Sequence, residues 1–332
     1  MSGVTLVTVA AEDADLRLDR WFKRHYPGLT HIRLEKLLRT GQVRVEGGRV
    51  KAAHRLEAGQ VVRVPPLDPE STTAPTQSNR PRPMSEAQRD DLQARILYRD
   101  KDVIAFNKPA GLAVQGGTGT PTHLDGMLDA LTFEAKERPR LVHRLDKDTS
   151  GVLLLARNAN AATWLTAAFR EKTARKIYWA VVAGVPRPHR GRIRMAIGKG
   201  GPAGRERVSP EAEEVREAVT YYTVVEQAAQ KAAWLALLPV TGRTHQLRVH
   251  CAEIGTPILG DGKYGAGKAL IPGLAKARDL HLHARSISFR RPDGRTLEIV
   301  APLPPHMEET WGFMGFEADT RGDPFRDLEI EL

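Results

Sequence analysis

Residues 141–156 read LVHRLDKDTSGVLLLA, and no other segment limits the possible folds as strongly. Val152 to Leu155 with Ala156 is a five-residue apolar run, a candidate for a buried strand. Directly before it stand His143, Arg144, Asp146, Lys147 and Asp148, and before those the apolar pair Leu141-Val142. Charged side chains flanked by two such strands sit on a rigid support. Ala161, Trp164, Leu165, Ala168 and Phe169 then recur at i, i+3, i+4, i+7 and i+8, which predicts an amphipathic helix. Lys176 to Val182 follows as a strand, with Tyr178 pointing opposite to Ile177, Trp179 and Val181. Alternation alone leaves two places for Tyr178, a cleft or a core, and the core is the commoner one for a strand tyrosine.

A second informative stretch, LALLPVTGRTHQLRVH at 235–250, predicts a strand, a tight turn and a helix. Leu247, His250, Cys251 and Ile254 mark the apolar helix face, Gly255 ends it, and Thr244 is a candidate N-cap. Arg243 precedes the helix start, where anions are favoured. It can hold a carboxylate or phosphate, or form a structural ion pair; spacing does not choose. Two glycine-containing loops, Asn107 to Gly111 and Val114 to Gly119, follow the predicted strand Val103 to Phe106. Neither has the GxxxxGK[ST] spacing of a nucleotide-cradling loop. Gly198 to Gly201 fails the dinucleotide fingerprint and reads as a flexible basic loop.

With 332 residues, the chain has length for about two domains. Residues 1–66 form a first block, 67–91 a linker rich in Pro, Ser, Thr and Arg, 92–306 the main domain, and 307–332 an acidic tail. The tail nets −6 against +10 for the whole chain, so residues 1–306 carry +16. A charge of that size suits either a polyanion such as nucleic acid or plain solubility. In the first block Leu18, Trp21 and Phe22 mark one helix and Leu34, Leu37 and Leu38 a second. Arg33, Lys36 and Arg39 lie on the far side of the second helix, a face that can track RNA phosphates or simply meet water. No run of about 18 apolar residues exists, so no membrane span is expected. The start of the chain lacks a secretory pattern and Cys251 stands alone, so a reducing cytoplasm is the expected compartment.

RLDRWFKRHYPGLTHIRLEKLLRTGQVRVEGGRV in the first block resembles the S4 RNA-binding module, which implies binding to structured RNA. HRLDKDTSG, ARKIYWAVVAG and PVTGRTHQLRVH, in that order, resemble three motifs of the RluA family of pseudouridine synthases. The likeness runs from about residue 95 to 303, and the NKPAGLAVQGGTGT loop leans toward the RluC branch over RluD. It implies an α+β fold: a mixed, mainly antiparallel central sheet with flanking helices and a cleft, preceded by a small α/β S4-like domain. It implies isomerisation of uridine to pseudouridine in 23S ribosomal RNA, by a monomer, with no cofactor and no metal. The same likeness makes Asp146 the catalytic aspartate, acting at C1′ or C6 or as a base. Arg243 becomes its paired arginine, and Tyr178 the ring that stacks on uracil and helps remove the C5 proton. Arg144 would fill the space left by the flipped base, Leu247 would pack beneath it, and His143 and Thr149 would shape the loop.

Three other readings stay open on the residues. Asp146 and Asp148 could be a glycosidase carboxylate pair. His281 and His283, with His245 or His250, could bind a metal. The chain could also be a non-catalytic RNA-binding assembly factor, or a pseudouridine synthase for another RNA.

Overall fold

The computed structural model describes residues 3–67, 84–116, 120, 122–200, 207–212, 214–265, 267, 269–271, 273–274, 278–318 and 323–327. The chain divides into two compact units, residues 1–83 and 84–332.

In the first unit, helix α1 (Leu18–His25) buries Leu18, Trp21 and Phe22, and α2 (His31–Arg39) turns Leu34, Leu37 and Leu38 into the same core. Thr30 caps α2 by accepting from the Arg33 amide, and Gly41, at φ 70°, closes it in a conformation that costs glycine least. Strands β1 (Thr5–Thr8), β2 (Arg44–Val45) and β3 (Val61–Val64) pair antiparallel in the order β1-β3-β2. The first strand had no signal in the sequence because Thr5, Leu6 and Thr8 are exposed and its pairing partner lies more than fifty residues away. Asp13, fully buried, is matched by Arg24 at 2.7 Å and His25 at 2.6 Å.

The second unit begins earlier than residue 92. Helix α3 (Glu86–Ala94) starts at a reciprocal capping box between Ser85 and Gln88, so the final part of the expected linker is a structured entry. Most of the remaining linker lies outside the described residues. An eleven-stranded sheet follows, built of β4 (Ile96–Arg99), β5 (Val103–Lys108), β6 (Arg140–Leu141), β7 (Ser150–Ala156), β8 (Arg175–Ala183), β9 (Arg190–Gly200), β10 (Arg207–Ser209), β11 (Val215–Ala228), β12 (Ala232–Pro239), β13 (Leu282–Arg290) and β14 (Thr296–Val300). Its main path is β10-β9-β11-β12-β8-β13-β7-β5-β4, with β14 on β13 and β6 on β7. Among the named strands the one parallel pairing joins β13 to β7 at His283–Ser150 and Ala284–Gly151. With helices α4 (Ala159–Arg170), α5 (Gln246–Glu253) and α6 (Pro305–Met314) packed against it, this is the mixed, mainly antiparallel α+β architecture.

Alternation along β8 and β12 feeds two cores. Ile177, Trp179, Val181, Trp234 and Ala236 face one side, and Ala180, Val182, Leu235 and Leu237 face the other, with Leu247 and Cys251 of α5. The first of these cores also contains Met307, Trp311, Phe316 and Phe325. Trp311 meets Trp234 edge-on, with centroids 5.2 Å apart. Met307, Trp311, Phe316 and Phe325 are therefore part of the unit's core, although the segment reads as an acidic tail in sequence. Its aromatic side chains outweigh its charge because each buries a large apolar surface.

Two loop expectations need correction. Lys108, read as part of a turn, ends strand β5 and is fully buried. Gly198 to Gly200, read as a flexible loop, is strand, paired with β10. Gly151 marks the β7–β13 junction at φ 108°, where an added Cβ would lie 2.2 Å from the Ala284 carbonyl oxygen. Only glycine permits that approach.

Candidate active site

The segment 142–149 leads into the fully buried strand β7 at Ser150, and the turn 240–246 leaves β12 toward α5. Between them lies a cavity of about 560 Å³. His143, Arg144, Asp146, Thr149, Tyr178, Arg243 and Leu247 all line it. Arg33, Lys36 and Arg39 are on the exposed side of α2 in the other unit.

Asp146 is partly exposed to the cavity, and its Oδ2 accepts from the backbone N–H of His245 at 3.3 Å. The expected pairing with Arg243 is not made: among the described residues no ion pair within 4.0 Å joins them. Arg243 instead sends its Nε to the Glu217 carbonyl at 3.2 Å, while its own backbone N–H donates to Gln246 Oε1 at 3.0 Å. The turn is fixed from inside. Gln246 also contacts Thr241 Oγ1 (2.7 Å), the Val219 carbonyl (3.0 Å) and Thr220 Oγ1 (2.9 Å). A fully buried amide satisfied on both ends ties the turn to β11. Helix α5 starts after His245, which stands in the left-handed region at φ 53°, so Thr244 is not the cap.

His245 is part of a second network that the sequence did not disclose. Its Nδ1 lies 2.7 Å from Tyr264 Oη, which also accepts from the Val208 amide at 3.1 Å. The ring and the hydroxyl are thus joined by a hydrogen bond in which either can donate. Burial lowers the His245 pKa against the pull of Asp146, keeping the ring neutral. Behind it, Arg248 and Asp261 form a buried two-pronged pair at 2.8 and 2.7 Å, and Asp261 Oδ1 accepts from the amides of Lys263 and Tyr264, both at 3.0 Å.

Lys108 is another residue without an earlier signal. Its Nζ donates to the carbonyls of Pro109 (2.9 Å), Leu112 (2.7 Å) and Lys147 (2.8 Å), tying β5 to the residue after Asp146. Burial brings its pKa down to about 7, opposed by the carboxylates of Asp148 and Asp146. His143 is committed to the loop: Nε2 accepts from the Leu154 amide at 2.8 Å, and the ring stacks on Phe169 at 4.2 Å. Tyr178 is kept a neutral phenol by burial and by the charge of Asp146, both of which raise its pKa.

The other readings find little geometric support. Asp148 is exposed and not among the residues lining the cavity, so the two carboxylates do not converge. His281 bonds to the Asp279 carbonyl and Thr310, and His283 to Ser150 and the Ala301 carbonyl. Among the described residues no group of three His, Cys, Asp or Glu is placed to hold a metal ion.

Four histidines carry a pH consequence. Burial lowers His143 and His283 to about 3, and His250 and His281 to about 4. In the unfolded chain each takes a proton near pH 6.5, so the unfolded state binds more protons throughout the window below that. Stability therefore falls from pH 6.5 toward pH 4, by about 1.4 kcal/mol per pH unit for each histidine fully inside the window. Thermal unfolding between pH 7.5 and 4.5 checks this; a flat profile down to pH 5 would contradict it.

Comparison with known proteins adds an independent finding. The family model for RNA pseudouridylate synthase matches residues 102–253. The chain is 36% identical over 315 residues to ribosomal large subunit pseudouridine synthase C of Pasteurella multocida, covering 93% of each chain. It is 35% identical to RNA pseudouridine synthase 4, mitochondrial, of Arabidopsis thaliana, over 91% of this chain and 80% of that one. The solved structure of human RNA pseudouridylate synthase domain containing 4 superposes with a TM-score of 0.60 at 30% identity, covering 70% of this chain and 98% of that one.

Proposed function

Because the chain belongs to the RluA family of RNA pseudouridine synthases, which are isomerases, we propose that it converts uridines to pseudouridine in 23S ribosomal RNA, with Asp146 as the catalytic carboxylate. The observation that carries the residue assignment is the convergence of Asp146, Tyr178, Arg144 and Leu247 on one cavity floored by the sheet. The ribosomal target is favoured by relatives named as ribosomal large subunit pseudouridine synthase C that match nearly end to end. We read the first unit, with Arg33, Lys36 and Arg39 exposed on α2, as an S4-like RNA-binding module, and the protein as a cytoplasmic monomer. Among the described residues no helix is long and apolar enough to cross a membrane.

The reaction breaks the N1–C1′ bond of uridine, turns the uracil, forms a C5–C1′ bond, releases the C5 proton and leaves N1 carrying a proton taken from solvent, so the composition is unchanged. The target nucleoside leaves its stack, at a cost of about a few kcal/mol. Arg144 is exposed at the cavity and has a flat guanidinium to stack on the bases left behind. Tyr178 offers its ring to the uracil and Leu247 an apolar contact. The Asp146 carboxylate acts at the sugar or the base, held by the His245 N–H. Tyr178, held as a neutral phenol by burial and by the charge of Asp146, offers uracil its ring and an O–H donor.

Pseudouridine mapping across ribosomal RNA from cells with and without the gene tests the proposal. Loss of specific large-subunit sites in the deletion supports it. An unchanged map, or losses confined to other RNAs, overturns the ribosomal assignment.

A further inference from the structure

We propose that Lys176 binds a phosphate of the target nucleotide, forming an anion subsite inside the cavity beside Tyr178. The inference rests on the isomerase reading above and extends it to how the extruded nucleotide is gripped.

Lys176 and Tyr178 are two residues apart on β8, so they share a face and stand about 6.6 Å apart along the strand. Both line the cavity, whereas Ile177 and Trp179 turn into the opposite core. A nucleotide spans a comparable length from its base to its own phosphate. A uracil stacked on Tyr178 thus brings a phosphate within reach of the ammonium. Arg243, Lys172 and Arg144 also line the cavity, and among the described residues Asp146 is its one lining acid.

Lys176 differs from the other cations there. Arg248 is matched by Asp261, Arg170 contacts Glu171, and Arg144, Lys172 and Arg243 are exposed to water. Lys176 is partly buried beside His143 and, among the described residues, has no hydrogen-bond or ion-pair partner. A lysine head group has three donors and no acceptor, and here it stands half-buried on the cavity wall with none of the three matched by a described protein group. Burial alone lowers its pKa. A phosphate oxygen supplies both the acceptor and the charge. A uracil carbonyl supplies only a neutral acceptor, and charge-assisted bonds are about twice as strong.

The test uses synthetic RNA stem-loops in which the wild-type protein forms pseudouridine at one position. The phosphodiester on the 5′ or the 3′ side of that uridine is replaced, in separate substrates, by a neutral methylphosphonate. For the wild-type protein one replacement should raise KM about tenfold, with kcat within about twofold, as expected for loss of a charge-assisted contact. Lys176→Met should show the same rise on unmodified RNA and less than about twofold further on the methylphosphonate, because the two changes remove one interaction. Lys176→Arg should restore most of the KM. A wild-type protein indifferent to both replacements overturns the proposal. So does a penalty of equal size in Lys176→Met and wild type, or a Lys176→Met that loses kcat with KM unchanged. Wild-type turnover of the unmodified stem-loop reports separately on the isomerase reading. If no RNA is isomerised, both fall.

Discussion

Asp146→Asn is expected to abolish pseudouridine formation, with kcat reduced at least about 10³-fold, while RNA binding persists. The amide has nearly the shape of the carboxylate and can still accept from the His245 N–H, so the loop keeps its geometry. What it lacks is the negative charge needed of a nucleophile or base. RNA affinity should hold within about threefold of wild type or improve, since an anion has been removed from a cation-rich cavity that meets a polyanion. Nucleoside mass spectrometry after derivatisation, run beside a binding titration, reads both quantities. Product formation within about tenfold of wild type would remove Asp146 from the chemistry.

Asp261→Ala should be the most damaging single change to stability outside the apolar cores. Asp261 is fully buried, grips Arg248 with two hydrogen bonds and accepts two backbone amides. Its removal strands a buried guanidinium, which costs about 3–5 kcal/mol, or about 6–20 °C in the unfolding temperature of a unit this large. Activity should fall as well, because Tyr264, His245 and the amide that holds Asp146 depend on that pair in turn. The double replacement Arg248→Met with Asp261→Leu should recover much of the stability, since the charge is no longer left alone. Activity should recover less, because the two amides accepted by Asp261 remain unmatched. An Asp261→Ala protein that melts within about 1 °C of wild type would show that the pair is dispensable.

How much of this was legible in the sequence follows from the range of the interactions. The apolar run Val152 to Ala156 and the spacing from Ala161 to Phe169 are local patterns, and both appear where expected, as β7 and α4. The alternation that set Tyr178 against Ile177 and Trp179 also holds, and it puts the tyrosine in the cavity. What did not show were groups whose role depends on a distant partner. Lys108 meets the carbonyl of Lys147 from 39 residues away, and Trp311 completes a core with Trp179 and Trp234. Asp261 and Tyr264 lie in a stretch with no periodicity to mark them. Arg243 shows the reverse problem. Its position in the turn was foreseen, but its side chain is engaged by the Glu217 carbonyl of β11 and makes no ion pair within 4.0 Å with Asp146, a choice that depends on a residue 26 positions away.

The central claim is that a carboxylate in this cavity drives a base-turning isomerisation in RNA, and the C5 hydrogen of uridine reports on it directly. Ribosomal RNA labelled with tritium at uridine C5 should release one tritium to water for each pseudouridine formed by the purified protein, with no free uracil. Release of free uracil, or no tritium release from any large-subunit RNA offered, would contradict it.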